Sequence, residues 1–221
     1  MDNIFVICGK SNSGKDTIMK AIKEMIKHNE INLKVLPVHT TRPKRLYEED
    51  EYIFESKDQF NSDYMDNLIC EARTYTPAGV TDGESWCYYT LINDIEPGTN
   101  YITINTPEGI TSIVNYLNDS NDHKGKFKVH ALYIACDDET LLTRAMEREK
   151  KQMVPNYKEL VRRFMADDND FSQSELEKLR VKTSLQTFYY NTGKPISFSV
   201  MEYIIKTLKN FIMTSSEDEL N

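Results

Sequence analysis

The chain has 221 residues, enough for one full core with insertions and short for two domains. Hydrophobic residues make up 39% and charged residues 28%, the balance of a soluble globular protein, while a net charge of −8 argues against a general nucleic-acid binder, so an anionic substrate has to be met by local clusters of Lys and Arg. No apolar stretch reaches the roughly 18 residues that span a bilayer, the first strand is expected by residue 3 with no room for a signal peptide, and Cys8, Cys70, Cys87 and Cys136 lack metal-ligand or redox spacing, which makes a reducing cytosol the expected home.

In chain order, Ile4-Phe5-Val6-Ile7-Cys8 predicts a buried strand over 3–8. Gly9-Lys10-Ser11-Asn12-Ser13-Gly14-Lys15-Asp16-Thr17 follows it and opens a helix expected from about Gly14 to His28, with Ile18, Ala21, Ile22, Met25 and Ile26 on one stripe. A strand, a glycine-hinged loop and a helix N-terminus in that order make a phosphate-binding loop. Its unpaired backbone N–H groups and the helix dipole hold a polyphosphate, and Lys15 adds a point charge for the outer phosphates. Asp16 is irregular, standing where a Ser or Thr normally binds magnesium. It is either a direct or water-mediated magnesium ligand or only a favourable negative charge in the first helical turn. Without a metal its charge would repel the nucleotide, which favours the metal reading, with the Thr17 hydroxyl as a substitute ligand.

Further buried strands are expected at 32–38, 100–105 and 129–136, with a fifth candidate at Phe188-Tyr189-Tyr190. Short apolar runs alternating with helical stretches give an α/β fold whose parallel sheet is covered on both faces. Two stretches fit that frame poorly: 39–93, polar, aromatic and turn-rich, and 145–170, densely charged around Pro155. They are expected as insertions at the C-terminal ends of the strands, where such folds bind ligands. The acidic segment Ser215 to Asn221 is expected to be disordered.

Two further clusters carry charge suited to phosphate. His39-Thr40-Thr41-Arg42-Pro43-Lys44-Arg45, followed by Glu48 and Tyr52-Ile53-Phe54, places three cations within four residues around a stiffening proline. Arg144 and Arg148 are four apart on a predicted helix and share a face, with Arg162-Arg163-Phe164 beyond the Pro155 loop. A solvated basic turn and a charged surface helix, paired with Glu139, Glu147 and Glu149, are the structural alternatives.

Taken together these segments resemble the guanylate kinase family over about residues 3–191, most strongly at 9–17, 40–54 and 144–163. The resemblance implies a P-loop NTPase three-layer sandwich with a parallel central sheet (core 1–37, 94–143 and 164–212), an insertion over 38–93 that binds the nucleoside monophosphate, a lid over 144–163, and a tail over 213–221. It implies an ATP-dependent, magnesium-requiring, cytoplasmic phosphotransferase acting on GMP or dGMP, a monomer or homodimer with no nucleic-acid or membrane partner. ATP would lie on Gly9, Ser11, Asn12, Ser13, Gly14, Lys15, Asp16, Thr17 and Asn191, with Asp16 and Thr17 toward the metal and Lys15, Arg144, Arg148 and Arg163 catalytic. Arg42, Arg45 and Tyr52 resemble the clamp on the acceptor phosphate. Glu71 resembles the base-reading glutamate, whose carboxylate accepts from both the N1–H and the amine of guanine.

Trp86-Cys87-Tyr88-Tyr89-Thr90 resembles the family's Tyr-Gly-Ser/Thr segment, and Tyr88 rather than Tyr89 keeps the hydroxyl of Thr90 at the right spacing, although either tyrosine could instead pack on Trp86. The chain departs from the pattern at Val38, usually a serine, and at Thr103-Ile104-Asn105, usually Asp-x-Asp, and its segment 73–86 is longer. Asn105 can still hydrogen-bond the acceptor but supplies no charge, so Asp16 is the natural replacement for the missing acid. A kinase of another nucleotide or of a sugar phosphate on the same fold, or a silent binding module, are the alternative readings.

Overall fold

In the computed structural model, which describes residues 1–44, 52–76, 85–189 and 198–217, the apolar runs take up one parallel sheet. The elements are β1 (Asp2–Cys8), α1 (Lys15–Lys27), β2 (Lys34–Val35), β3 (His39–Thr40), β4 (Ile53–Phe54), α2 (Lys57–Met65), β5 (Ile69–Tyr75) and β6 (Trp86–Leu91). After a 3-10 turn at Ile92–Asp94 come β7 (Tyr101–Ile104), α3 (Pro107–Asp119), β8 (Phe127–Ala135), α4 (Asp138–Lys150), α5 (Tyr157–Asp170), α6 (Gln173–Lys182), β9 (Ser184–Tyr189) and α7 (Phe198–Glu217). The central sheet runs β2-β7-β1-β8-β9 with every neighbouring pair parallel.

β1 lies in the middle and is apolar at successive positions because both of its faces are covered. Ile4, Val6 and Cys8 pack with Ile110, Ile113 and Leu117 of α3 and Leu179 of α6. Phe5 and Ile7 point the other way, against Ile18, Met19 and Ile22 of α1 and Ile204 and Leu208 of α7. These two apolar layers are the core of a three-layer α/β sandwich, as the alternation of strands and helices predicts.

Two expected strands differ in extent. The run 32–38 contributes only Lys34–Val35 to the ladder, at the sheet edge, although the N–H of Leu36 still donates to Ile102. Pro37, with no N–H to give, ends the pairing. The C-terminal strand starts earlier than its aromatic residues indicate, at Ser184, and pairs parallel with β8, while Tyr190 lies outside the described residues. Helix α7 continues through Glu217, so Ser215–Glu217, expected to be disordered, are helical; residues 218–221 lie outside the described residues.

The described residues of the stretch 39–93 hold more regular structure than its composition indicates. Its strands form a second sheet, β4-β3-β6-β5, with β3 and β4 parallel and the other pairs antiparallel. Tyr89 faces inward, its ring 5.1 Å from those of both His39 and Phe60 and its hydroxyl donating to Asp63. The register slips between Ile69 and Glu71, so that Glu71 stands opposite Thr90. A bulge of this kind re-aims the side chain beside it.

Gly9 ends β1 where no side chain fits: its φ is +152°, and a Cβ there would lie 2.6 Å from the carbonyl oxygen of Ile134 and 2.9 Å from Oγ of Ser13. Gly9→Ala is therefore expected to cost about 1–3 kcal/mol of stability, read from the denaturant midpoint. An unchanged midpoint would show that the loop relaxes around the methyl group.

Candidate active site

The phosphate loop follows β1 and feeds α1. Gly14 caps that helix in the left-handed conformation, φ +101°, with no side-chain hydrogen bond to the first turn. By contrast the N-termini of α2, α3, α4 and α5 are each closed by a side chain, from Ser56, Thr106, Asp137 and Asn156. The start of α1 thus keeps its N–H groups available to an anion. Nζ of Lys15 folds back 2.8 Å to the carbonyl of Lys10. Burial lowers its pKa, and the charges of Asp16 and Asp167 act in the opposite direction. Ser13 is fully buried, and among the described residues its Oγ has no hydrogen-bond partner. Ser11 donates its backbone N–H to Oδ2 of Asp167 at 2.6 Å, and Lys10 pairs with both Asp138 and Asp168 at 3.0 Å.

The arginines expected in the lid have separate environments. Arg144 donates to the carbonyl of Asn12 at 3.2 Å, bracing the loop from beneath. Arg148 and Arg163 line a cavity of about 510 Å³ together with Ser11, Asn12, Lys15 and Asp16. Thr17, proposed with Asp16 as a metal ligand, is exposed and outside that lining. Arg163 is held by Glu159 one turn earlier on α5, Nε to Oε1 at 2.7 Å, and Arg162 binds the same carboxylate at 2.9 and 3.0 Å. The hydroxyl of Tyr75, at the end of β5, donates to Glu159 as well, so the second sheet reaches α5 through one carboxylate.

Across the cleft the structure gathers three of the residues expected at the acceptor. Arg42 is buried, donates from Nε to Oη of Tyr88 at 3.1 Å, and stacks 5.4 Å from the rings of both Tyr52 and Phe54. The turn carrying it is pinned to β6, where Thr40 and Thr41 bond the backbone of Cys87. Tyr52 and Tyr88 meet edge to face at 5.7 Å, and Trp86 packs on Tyr75. Strand alternation thus turns Tyr88 and Thr90 to the cleft and Tyr89 to the core. Arg45 and Asn191 lie outside the described residues, as does Glu48.

Glu71 is buried on β5, and Thr90 donates to its Oε2 at 3.3 Å. Burial pushes its carboxyl above the usual range, while the nearby Arg73 cation and hydrogen bonding from Asn105 and Thr90 pull it back. Asn105, at the C-terminal end of β7, is buried as well and accepts from the N–H of Thr106. Helix α3 comes this near only because residue 109 is glycine: a Cβ there would collide with Asn105 and lie 2.8 Å from Oε1 of Glu71.

A second cavity of about 530 Å³, lined by Arg73, Tyr75, Trp86 and Tyr88, adjoins the first. The two share Ser11, Tyr52, Arg163 and Asp167. Arg73, Asp167, Glu159 and Gly109 are missing from the expected residues. Spacing could have found three of them. Arg73 is two after Glu71 on a strand, and Glu159 and Asp167 lie four before and four after Arg163 on a helix, each on its neighbour's face.

Comparison with known proteins adds to this geometry. Residues 1–80 match the sequence model of the family described as guanylate kinase. A search of curated proteins finds no match. Among solved structures, that of guanylate kinase from Anaplasma phagocytophilum is 15% identical in sequence, superposes with a TM-score of 0.53, and the match covers 95% of this chain and 85% of that one. A likeness at that identity shows the fold. The chain thus carries the sequence pattern of the guanylate kinase family over residues 1–80, which include the phosphate loop, and the fold of a guanylate kinase over nearly its whole length.

Proposed function

We propose that the protein transfers the γ-phosphoryl group of ATP to GMP or dGMP, with the acceptor bound over 38–93 and 144–163 acting as a lid. The observation that carries this reading is the pair of adjoining cavities that share Ser11, Tyr52, Arg163 and Asp167. One is lined by Lys15 at the start of α1, and the other by Tyr88 and by Arg73, which pairs with the buried Glu71. Phosphoryl transfer asks the protein for positioning and charge neutralisation more than for covalent chemistry. Lys15 and the loop amides hold the donor phosphates, and Arg42, Tyr52 and Tyr88 hold the acceptor phosphate. Arg148 and Arg163 face the donor cavity, where charge develops during transfer. Arg144 supports the loop through the Asn12 carbonyl.

The donor set suits magnesium. Asp16 lines the donor cavity and offers a hard oxygen of the kind that Mg²⁺ takes beside phosphate oxygens and water. Among the described residues no three His, Cys, Asp or Glu side chains converge on a dedicated cage, which a nucleotide-borne ion does not need. Bound there, the ion would neutralise phosphate charge. Asp16→Ser is expected to raise the magnesium concentration required for half-maximal turnover, and an unchanged requirement removes Asp16 from the role.

A panel of nucleoside and sugar monophosphates incubated with ATP and magnesium, followed by ADP release, tests the whole reading. The highest kcat/KM is expected for GMP or dGMP. Preference for another acceptor overturns the substrate, and no ADP release with any acceptor overturns the activity.

A further inference from the structure

Beside Glu71 stands a cation to which the resemblance gives no role. Arg73 follows by two residues on β5 and so shares its face, with Tyr88 opposite in the register. Nε of Arg73 lies 3.5 Å from Oε1 of Glu71. Among the described residues neither of these two buried atoms has a hydrogen-bond partner, although the other carboxylate oxygen receives Thr90. The Glu71 side chain is 2% exposed and that of Arg73 34%, and Arg73 lines the acceptor-side cavity, so an entering base meets the guanidinium first. A buried donor and a buried acceptor, paired by charge but without a hydrogen bond, leave capacity that a ligand presenting an acceptor next to a donor would fill.

We propose that Arg73 reads the nucleobase together with Glu71, the guanidinium donating to a ring carbonyl while the carboxylate accepts from the N–H beside it. The proposal rests on the acceptor assignment above and extends it from one residue to two. A 6-oxopurine carries these groups in the matching order, with O6 next to N1–H and, in guanine, the exocyclic amine beyond. Adenine presents an amine at C6 and a bare N1, which sets donor against donor at Arg73 and acceptor against acceptor at Glu71. Glu71 by itself reads N1–H and the amine, and Arg73 adds the carbonyl at C6. Arginine suits the task because its planar fork reaches O6 and N7 in one plane, which a lysine ammonium does not.

Calorimetric titration of GMP, IMP and AMP, without donor nucleotide, into the wild-type chain, Arg73→Ala and Arg73→Lys tests this. Wild type is expected to prefer GMP and IMP to AMP. Arg73→Ala should weaken GMP and IMP by about 10–100-fold and leave AMP nearly unchanged, collapsing the preference. Arg73→Lys keeps a cation beside Glu71, so the fold is protected, and it should restore little of the carbonyl preference. ATP affinity, measured in parallel, reports that the variants are folded. Equal weakening of all three monophosphates in Arg73→Ala, or full rescue of the preference by lysine, overturns the proposal, since either means that Arg73 acts only as a charge. Because nothing turns over in this titration, GMP bound with the expected preference but never phosphorylated overturns the kinase reading and leaves Arg73 in place. Failure of every monophosphate to bind the wild-type chain overturns both.

Discussion

Replacing Lys15 with alanine is expected to lower turnover by at least about 10²–10³-fold while leaving monophosphate affinity nearly intact. The ammonium sits in the phosphate loop, bonded to the carbonyl of Lys10, and lines the donor cavity but not the acceptor-side one. Burial lowers its pKa, and the charges of Asp16 and Asp167 act in the opposite direction, as those of incoming phosphates would. In the proposed reaction, removing it withdraws charge from the position where phosphoryl oxygens gain it. Single-turnover kinetics with saturating acceptor, beside calorimetric titration of GMP, separate the two effects. Equal loss of transfer and of acceptor affinity would count against the division into a donor and an acceptor cavity.

Glu71→Gln is the second large expected effect, confined to the acceptor. A carboxylate that accepts two N–H groups from guanine makes two hydrogen bonds to a charged group, about 1.5–3 kcal/mol each. The amide turns one acceptor into a donor, so kcat/KM for GMP should fall by about 10²–10⁴-fold with little change in the KM for ATP. The pH dependence follows from the same burial. Because the folded-state pKa of Glu71 is raised, the carboxylate needed for binding is lost as pH falls through that raised value, above the usual carboxylate range, and GMP binding weakens there. Stability runs the other way. The folded chain holds this proton more tightly than the unfolded one, so the contribution is complete below the unfolded pKa and is lost as pH rises through the folded pKa. In Glu71→Gln both dependences should flatten, one read by calorimetry and the other by denaturant midpoint against pH. A GMP affinity that keeps its wild-type pH profile in this variant would assign the titration to another group.

Local chemistry explains why the phosphate loop was legible in the sequence. A phosphate loop depends on contiguous residues: the glycines that permit its turns, the strand before it and the helix start after it. Nine neighbouring letters therefore carry nearly all of its geometry, from Gly9 to Thr17. The central sheet was legible for a related reason, since a strand buried on both faces shows an unbroken apolar run, as Ile4–Cys8 does. Resemblance extended that reading to Arg42, Tyr52, Tyr88 and Thr90, and strand alternation accounts for the choice of Tyr88 over Tyr89: one faces Arg42 and the other Asp63.

The proposed acceptor site was less legible because its residues meet across elements distant in the chain. Thr90 reaches Glu71 only through the slip in register between Ile69 and Glu71; with regular pairing the carboxylate would oppose the inward-facing Tyr89. Asn105 arrives from the other sheet, and the absence of a side chain at Gly109 lets α3 approach it. Glu159 is one of many charges in the stretch 145–170, and the fold makes it the shared partner of Tyr75, Arg162 and Arg163. Arg144 and Arg148 looked equivalent by helical spacing and proved different, because the loop carbonyl of Asn12 lies within reach of one of them.

By itself, then, the sequence determined the parallel sheet, the phosphate loop and the kinds of charge available for two anionic ligands, all of which rest on short-range order: apolar period, glycine position and helix start. Only the tertiary structure decided which charges face the cleft, which are neutralised by neighbours, and which buried groups remain without partners. Those outcomes depend on strand register and helix docking, where a slip of one residue turns a side chain from core to cleft.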